Sequence, residues 1–88
     1  MKSKNSTLFL DTWTHTDLDT GDKNHGYLLY DDNGNEYWGY FDRHITDDQE
    51  ILREVMLDTS ALQMVLRYDD LIINDGCRVG IEVLRVGR

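Results

Sequence analysis

The feature that most constrains the fold of this chain is the dipeptide Asn33-Gly34, which separates two segments rich in aromatic and aliphatic residues. Both residues accept the left-handed backbone that a tight β-hairpin turn requires, and apolar flanks make this the strongest short-range hairpin signal. A two-residue loop would place Tyr30 opposite Tyr37 and so fix every other pair of the hairpin. The sequence therefore predicts an antiparallel hairpin over residues 27–41.

This predicted hairpin has two aromatic faces. In the register set by a two-residue loop, one face carries Leu28, Tyr30, Tyr37 and Phe41, and the other carries Tyr27, Leu29, Trp38 and Tyr40. A chain of 88 residues builds only a small core, and such a domain usually covers one face of its sheet. We therefore expect the second face to be either partly covered by a helix or exposed to a partner.

A helix is predicted after the hairpin. The segment Thr46-Asp47-Asp48-Gln49 has the form of a capping box, in which the threonine and glutamine side chains satisfy free backbone N–H groups. Apolar residues then recur at helical spacing, at Ile51, Leu52, Val55 and Met56. The sequence predicts a helix from Thr46 to about Leu57. Residues 61–66 either extend this helix, which is the preferred interpretation, or form a strand.

Strands are predicted at both ends of the chain. Residues 7–16 alternate loosely, with Phe9 and Trp13 on one face, and their threonines favour a strand. The remaining assignments are a loop over residues 17–26, a short strand over 71–73, a turn over 74–76 and an alternating strand over 79–86. The predicted fold class is α+β, with one domain over residues 1–88. In it a small antiparallel β-sheet of about four to five strands is covered by one α-helix, in the order ββ(β)αββ.

No constellation typical of catalysis is found in the sequence. Cys77 has only Arg78 as a basic neighbour, and the sequence contains neither a nucleophile elbow nor a phosphate-binding loop. His15 and His25 flank an aspartate-rich loop, but they lack the spacing of a helical zinc pair. We therefore predict no catalytic residue, no metal site and no cofactor. A small-ligand or metal binder that uses the His15–His25 loop remains a lesser alternative.

The charge of the chain limits its partners. The sequence has 17 acidic and 9 basic side chains, a formal net charge of −8. Contacts to nucleic-acid phosphates need several lysines or arginines, so direct binding to nucleic acid is disfavoured. The only apolar run near the N-terminus is Leu8-Phe9-Leu10, too short for a signal peptide or a membrane span. One cysteine cannot form an internal disulfide, and a reducing cytoplasmic location is expected.

The acidic charge and the exposed rings together predict a protein–protein interaction module. Carboxylates on loops can imitate a row of phosphates, and aromatic anchors beside them supply contact energy. The predicted partner is a basic protein surface, such as that of a nuclease or another nucleic-acid-binding protein. The chain would act as an inhibitor or antagonist of it, in the manner of immunity proteins or phage-encoded inhibitors. The predicted partner-binding residues are Asp17, Asp19, Asp22, Asp31, Asp32, Glu36, Asp47, Asp48, Tyr27, Trp38 and Tyr40.

A structural or assembly subunit is the alternative prediction. The sequence has no proline to protect its edge strands, so strand addition or the aromatic hairpin could close a homodimer.

Overall fold

The computed structural model of the protein describes residues 6–74 and 78–80. The elements in chain order are β1 (Thr7–Thr16), β2 (Lys23–Tyr30), β3 (Glu36–Phe41), α1 (Asp48–Leu57), α2 (Thr59–Val65), β4 (Asp70–Ile73) and β5 (Arg78–Gly80). This confirms the predicted α+β class. Within the described part of the chain, neither helix is long and apolar enough to cross a membrane. Cys77, most of the predicted 74–76 turn and the strand predicted beyond Gly80 lie outside the described residues.

The strands form one sheet in the order β3-β2-β1-β4-β5. β1 is antiparallel to β2 and parallel to β4, while β2–β3 and β4–β5 are antiparallel pairs. The sheet is therefore mixed, and the prediction of a purely antiparallel sheet was wrong at β1–β4. The reason is the connection between β3 and β4, which crosses over through the helices. A crossover of this kind returns the chain in its original direction.

Two helices stand where one was predicted. Asp58 interrupts the helical path with an extended backbone (φ −85°, ψ 113°), and its side chain accepts a hydrogen bond from the Ser60 N–H at the start of α2. The preferred helical interpretation of residues 61–66 is confirmed, since α2 covers most of them. α1 begins two residues later than predicted, because Asp47 rather than Thr46 caps it by accepting from the Glu50 N–H at 3.0 Å. Aspartate is at least as good an N-cap as threonine.

Both helices pack on the same face of the sheet, which we call the covered face. The buried side chains between the helices and this face are Leu8, Leu10, Tyr27, Leu29, Ile45, Ile51, Val55, Ala61, Met64, Val65, Leu71 and Ile73. The core residues of β1, β2 and β4 alternate along each strand, so the intervening residues lie on the opposite face.

The hairpin turn differs from the prediction by one residue. The structure pairs Leu29 with Tyr37 and Tyr30 with Glu36, whereas the predicted two-residue loop paired Tyr30 with Tyr37. The next pair toward the turn after Tyr30 and Glu36 closes the loop, because the Asp31 N–H donates to the Asn35 carbonyl at 3.1 Å. Its three-residue loop ends at Gly34, whose φ of 93° is left-handed. This is the arrangement of a turn followed by a glycine bulge.

The shifted register sorts the aromatic residues of β3 differently. A slip of one residue moves every side chain of a strand to the other face. Tyr37 and Phe41 therefore join Tyr27 against the core, and Trp38 and Tyr40 lie on the face away from the helices. The predicted sharing of faces along the hairpin was wrong for this reason.

Tyr27 and Tyr37 connect the sheet to the boundary between the helices. Their hydroxyls donate to Asp58 Oδ2 at 2.9 Å and 2.6 Å. Gly39 lies directly opposite Tyr27, and a side chain at Gly39 would overlap the Tyr27 ring. Burial and then the contact with Asp58 raise the pKa of Tyr27, while the hydrogen bond from Tyr37 is the main cause of a lowered pKa at Asp58. Asp58 thus caps α2 and fixes it to β2 and β3.

Replacing Asp58 by alanine is expected to lower the free energy of unfolding by about 2 kcal/mol, because it removes a helix cap and leaves the buried Tyr27 hydroxyl without its acceptor. Urea denaturation followed by circular dichroism measures this loss. Asp19→Ala is the matched control, since Asp19 is an exposed loop residue and its loss should change stability by less than about 0.5 kcal/mol. Equal effects of the two substitutions would contradict the role of Asp58.

Candidate functional site

The sheet face away from the helices forms the candidate site, and we call it the open face. Its aromatic and aliphatic residues are Phe9, Trp13, Leu28, Tyr30, Trp38, Tyr40 and Ile72. None of these side chains is buried, and nothing in the described core packs on them. An uncovered patch of this kind on a small protein is typical of an interaction surface.

Trp13 is the centre of the aromatic cluster on the open face. It lies opposite Gly26, where a side chain would overlap the indole ring, and its Nε1 donates to the Tyr27 carbonyl at 3.2 Å. The Tyr40 ring meets it edge-on at 5.4 Å between centroids, and the Trp38 ring lies at 6.4 Å. Trp38 remains 55% exposed and Tyr40 75% exposed. The cluster is therefore held in place by the fold while its outer rings face solvent.

A second ring pair continues the open face toward the hairpin turn. Phe9 and Tyr30 stack with centroids 5.4 Å apart and an interplanar angle of 26°. Asp11 lies between Phe9 and Trp13 on the same face of β1. Partial desolvation, followed by the nearby Asp11 carboxylate, raises the pKa of the Tyr30 hydroxyl. The open face thus has a carboxylate among its rings.

The charge on this face is of one sign in strands β1 to β4. Asp11, Glu36 and Asp70 occupy positions on the open face. Lys23 is the one lysine or arginine in these four strands, and its alternation places it with the covered face. The open face of β1 to β4 therefore combines aromatic rings with negative charge.

The structure separates the carboxylates that were predicted to bind a partner together. Asp17, Asp19 and Asp22 lie in the β1–β2 loop, and Asp31 and Asp32 lie in the β2–β3 turn, at the other end of the eight-residue strand β2. A strand of that length spans about 26 Å. Asp47 and Asp48 are at the start of α1, on the helical side of the sheet.

Several of these carboxylates have a structural role. Asp17 Oδ1 accepts from the Asp19 N–H at 2.8 Å, and Asp47 caps α1. Asp31 accepts hydrogen bonds from the N–H groups of Asn33 and Asn35, the side chain of Asn35 and the hydroxyl of Tyr68. Aspartate favours turns and caps for this reason.

The three predicted aromatic anchors divide between the two faces. Trp38 and Tyr40 are exposed on the open face, where they can contact a partner. Tyr27 is 1% exposed, so its assignment as an anchor was wrong, and the cause is the register error in the hairpin. Sequence reasoning did not include Trp13, Phe9, Tyr30 and Asp11 in the site. The alternation of Phe9 and Trp13 along β1 was the available signal.

The histidines are arranged differently from the proposed His15–His25 loop. His15 pairs with Asn24 on the open face, whereas His25 lies beside His44, with ring centroids 4.9 Å apart. Within residues 6–74 and 78–80, no group of three or more His, Cys, Asp or Glu side chains could hold a metal ion.

Comparisons with protein-family models, with curated proteins and with solved structures found no match to this chain. The chain's own geometry therefore carries the functional inference.

Replacing Asp31 by asparagine is expected to reduce stability in a pH-dependent way. The hydrogen bond from the Asn35 side chain, and next that from Tyr68, lowers the pKa of Asp31 to about 2, below the value of about 3.9 for an unfolded chain. The ionised form thus stabilises the fold above about pH 4, and this contribution is lost as the pH falls toward 2.

Urea midpoints of the wild type and Asp31→Asn at several pH values between 2 and 7 measure this effect. The two midpoints should differ above pH 4 and converge toward pH 2. Asp32→Asn is the control, because it removes a charge from the same turn and leaves the four hydrogen bonds to Asp31 in place, so its midpoint at pH 7 should stay close to that of the wild type. A constant difference between the wild type and Asp31→Asn at every pH would contradict the interpretation.

Proposed function

We propose that this protein is a small interaction module that binds a basic protein surface through its open face. The observation that carries the proposal is the aromatic cluster of Trp13, Trp38 and Tyr40, which is held by ring contacts and lies on the same face of the sheet as the Asp11 carboxylate. Rings held by the fold lose little conformational freedom on binding, which favours affinity.

Arginine and lysine side chains match this surface in two ways. A guanidinium or ammonium group is attracted to the face of a tryptophan or tyrosine ring, and the attraction strengthens when water is excluded. The carboxylates at Asp11 and Glu36 pair with the same cations. The formal net charge of −8 also increases the rate at which a cationic partner is encountered.

Nucleases and other nucleic-acid-binding proteins are the partner class that we propose. Their binding clefts present lysine and arginine side chains to phosphates, and aromatic rings beside carboxylates can occupy such a cleft in place of a nucleic acid. In this proposal the protein is an inhibitor that competes with nucleic acid for the basic cleft.

Removing the outer rings is expected to weaken binding to a basic probe. Titration with a nona-arginine peptide can be followed by intrinsic fluorescence, because both tryptophans of the chain, Trp13 and Trp38, lie on the open face. The double variant Trp38→Ala/Tyr40→Ala should bind at least about tenfold more weakly, as for interface hot spots. Binding by the wild type should weaken as salt is added.

Leu57→Ala is the matched control for this experiment. Leu57 is 72% exposed but belongs to α1, on the helical side of the sheet, so its loss should leave the affinity unchanged. Equal affinities of the wild type and the double variant would contradict the proposed surface.

Inhibition is tested by asking whether the protein displaces labelled duplex DNA from a basic DNA-binding protein. If the protein binds the peptide but does not displace DNA, it is an interaction module and not an inhibitor.

A homodimeric assembly subunit is the second candidate function. Among the described residues nothing pairs with the outer edge of β3, and a free edge can pair with a second copy. Sedimentation velocity at low and high salt separates the two candidates. A homodimer closed by apolar contacts should persist in high salt, whereas an electrostatic complex with a basic partner should dissociate.

A further inference from the structure

His25 and His44 come together at one end of the covered face. His25 lies on β2 opposite Phe41, the last residue of β3, and His44 follows three residues later. Their Nδ1 atoms are 3.4 Å apart, and the Thr14 Oγ1 lies 3.1 Å from the Nδ1 of His25. The Nδ1 atom of His25 thus lies close to two further atoms that can each offer a lone pair, and the three atoms come from separate segments of the chain.

The spacing of the two nitrogens fits a shared metal ion. Imidazole nitrogens bind Zn²⁺ at about 2.0–2.1 Å, and two ligands of a tetrahedral ion at that distance stand about 3.3–3.4 Å apart. The observed separation of 3.4 Å matches this edge of the tetrahedron. In a hydrogen bond between the two neutral rings, one Nδ1 atom carries a proton and the other offers a lone pair. A metal ion instead binds a lone pair on each of the two Nδ1 atoms.

The space next to the two rings is suited to a small ligand. A cavity of about 20 Å³ is lined by Thr14, His25, Phe41 and His44, among others. This volume holds about one water-sized particle.

Neighbouring contacts hold His44 in position. Arg43 forms ion pairs with Asp42, Glu50 and Glu54 at 2.8, 2.7 and 3.1 Å, and Ile45 is buried in the core. The residue before His44 therefore contacts α1 through exposed ion pairs, and the residue after it is anchored in the core. Ligands that are held before an ion arrives lose less conformational freedom when it binds.

We propose that His25 and His44 form a binding site for a divalent transition-metal ion of the zinc class, with both Nδ1 atoms as ligands and the Thr14 hydroxyl or water completing the coordination. No third His, Cys, Asp or Glu in the described ranges joins the pair, so the ion remains exchangeable and keeps open positions. The two histidines lie on the covered face, and the metal site does not depend on the proposed function, although Trp13 of the open face also lines the cavity beside them.

Calorimetric titration of the tag-free full chain with ZnCl₂ tests the site. We expect saturable binding of one ion by the wild type. Each of His25→Asn and His44→Asn should weaken it at least about tenfold, since each removes one of two nitrogen ligands. His15→Asn is the matched control, because His15 is the third histidine of the chain and lies on the opposite face. The His15→Asn and Cys77→Ser variants should both bind zinc with the affinity of the wild type.

Two further measurements keep the proposal open to refutation if a variant fails to fold. In imidazole NMR spectra of the wild type, ZnCl₂ should shift the signals of His25 and His44 and leave those of His15 in place. MgCl₂, which prefers oxygen ligands, should shift none of them. Absence of saturable binding, an equal loss in His15→Asn, or shifts centred on His15 would each overturn the proposal.

Discussion

The arrangement of the sheet depends on the hydrogen bonds that the Asp31 carboxylate accepts in the β2–β3 turn. By accepting the N–H groups of Asn33 and Asn35 at 2.9 Å each, it closes the β2–β3 turn around three residues rather than two. The one additional residue in the loop sets the hairpin register. It directs Tyr37 to the core and Trp38 to solvent, and the open face therefore follows from the chemistry of this turn. Tyr68 donates to the same carboxylate, which links the turn to the segment after α2.

The acidic character of the chain has two separate physical roles. Asp17, Asp31, Asp47 and Asp58 accept backbone N–H groups at turns and helix starts, so a share of the negative charge is a consequence of how the loops are built. Asp11 and Glu36 lie on strands, on the open face. Carboxylates of this second kind share the open face with the exposed rings. The proposed interaction rests on their position, whereas the overall charge contributes long-range attraction.

Glycines opposite aromatic residues build both faces of the sheet. Gly39 leaves room for Tyr27 on the covered face, and Gly26 leaves room for Trp13 on the open face. The hydroxyl of Tyr27 reaches Asp58, and its carbonyl accepts from Trp13. One residue thus connects the helix boundary, the core and the aromatic cluster. A rigid sheet of this construction can present exposed rings in fixed positions, which the proposed recognition of a cationic partner requires.

The sequence by itself determined the α+β class, the hairpin, the helix that follows it and the strand that ends at Ile73, because hydrophobic periodicity and turn residues act locally. For residues 61–66 it favoured a helix but left a strand open. It also proposed Trp38 and Tyr40 as contact residues, together with the buried Tyr27, from a hairpin register that the structure does not show. Only the tertiary structure decided the parallel β1–β4 pair, the hairpin register and the burial of Tyr27. The same holds for the approach of His25 to His44. The parallel pair depends on a crossover through the helices, and the hairpin register depends on the Asp31 side chain, which accepts backbone N–H groups of the turn. The approach of the two histidines depends on contacts between residues distant in the chain. A local sequence pattern encodes none of these.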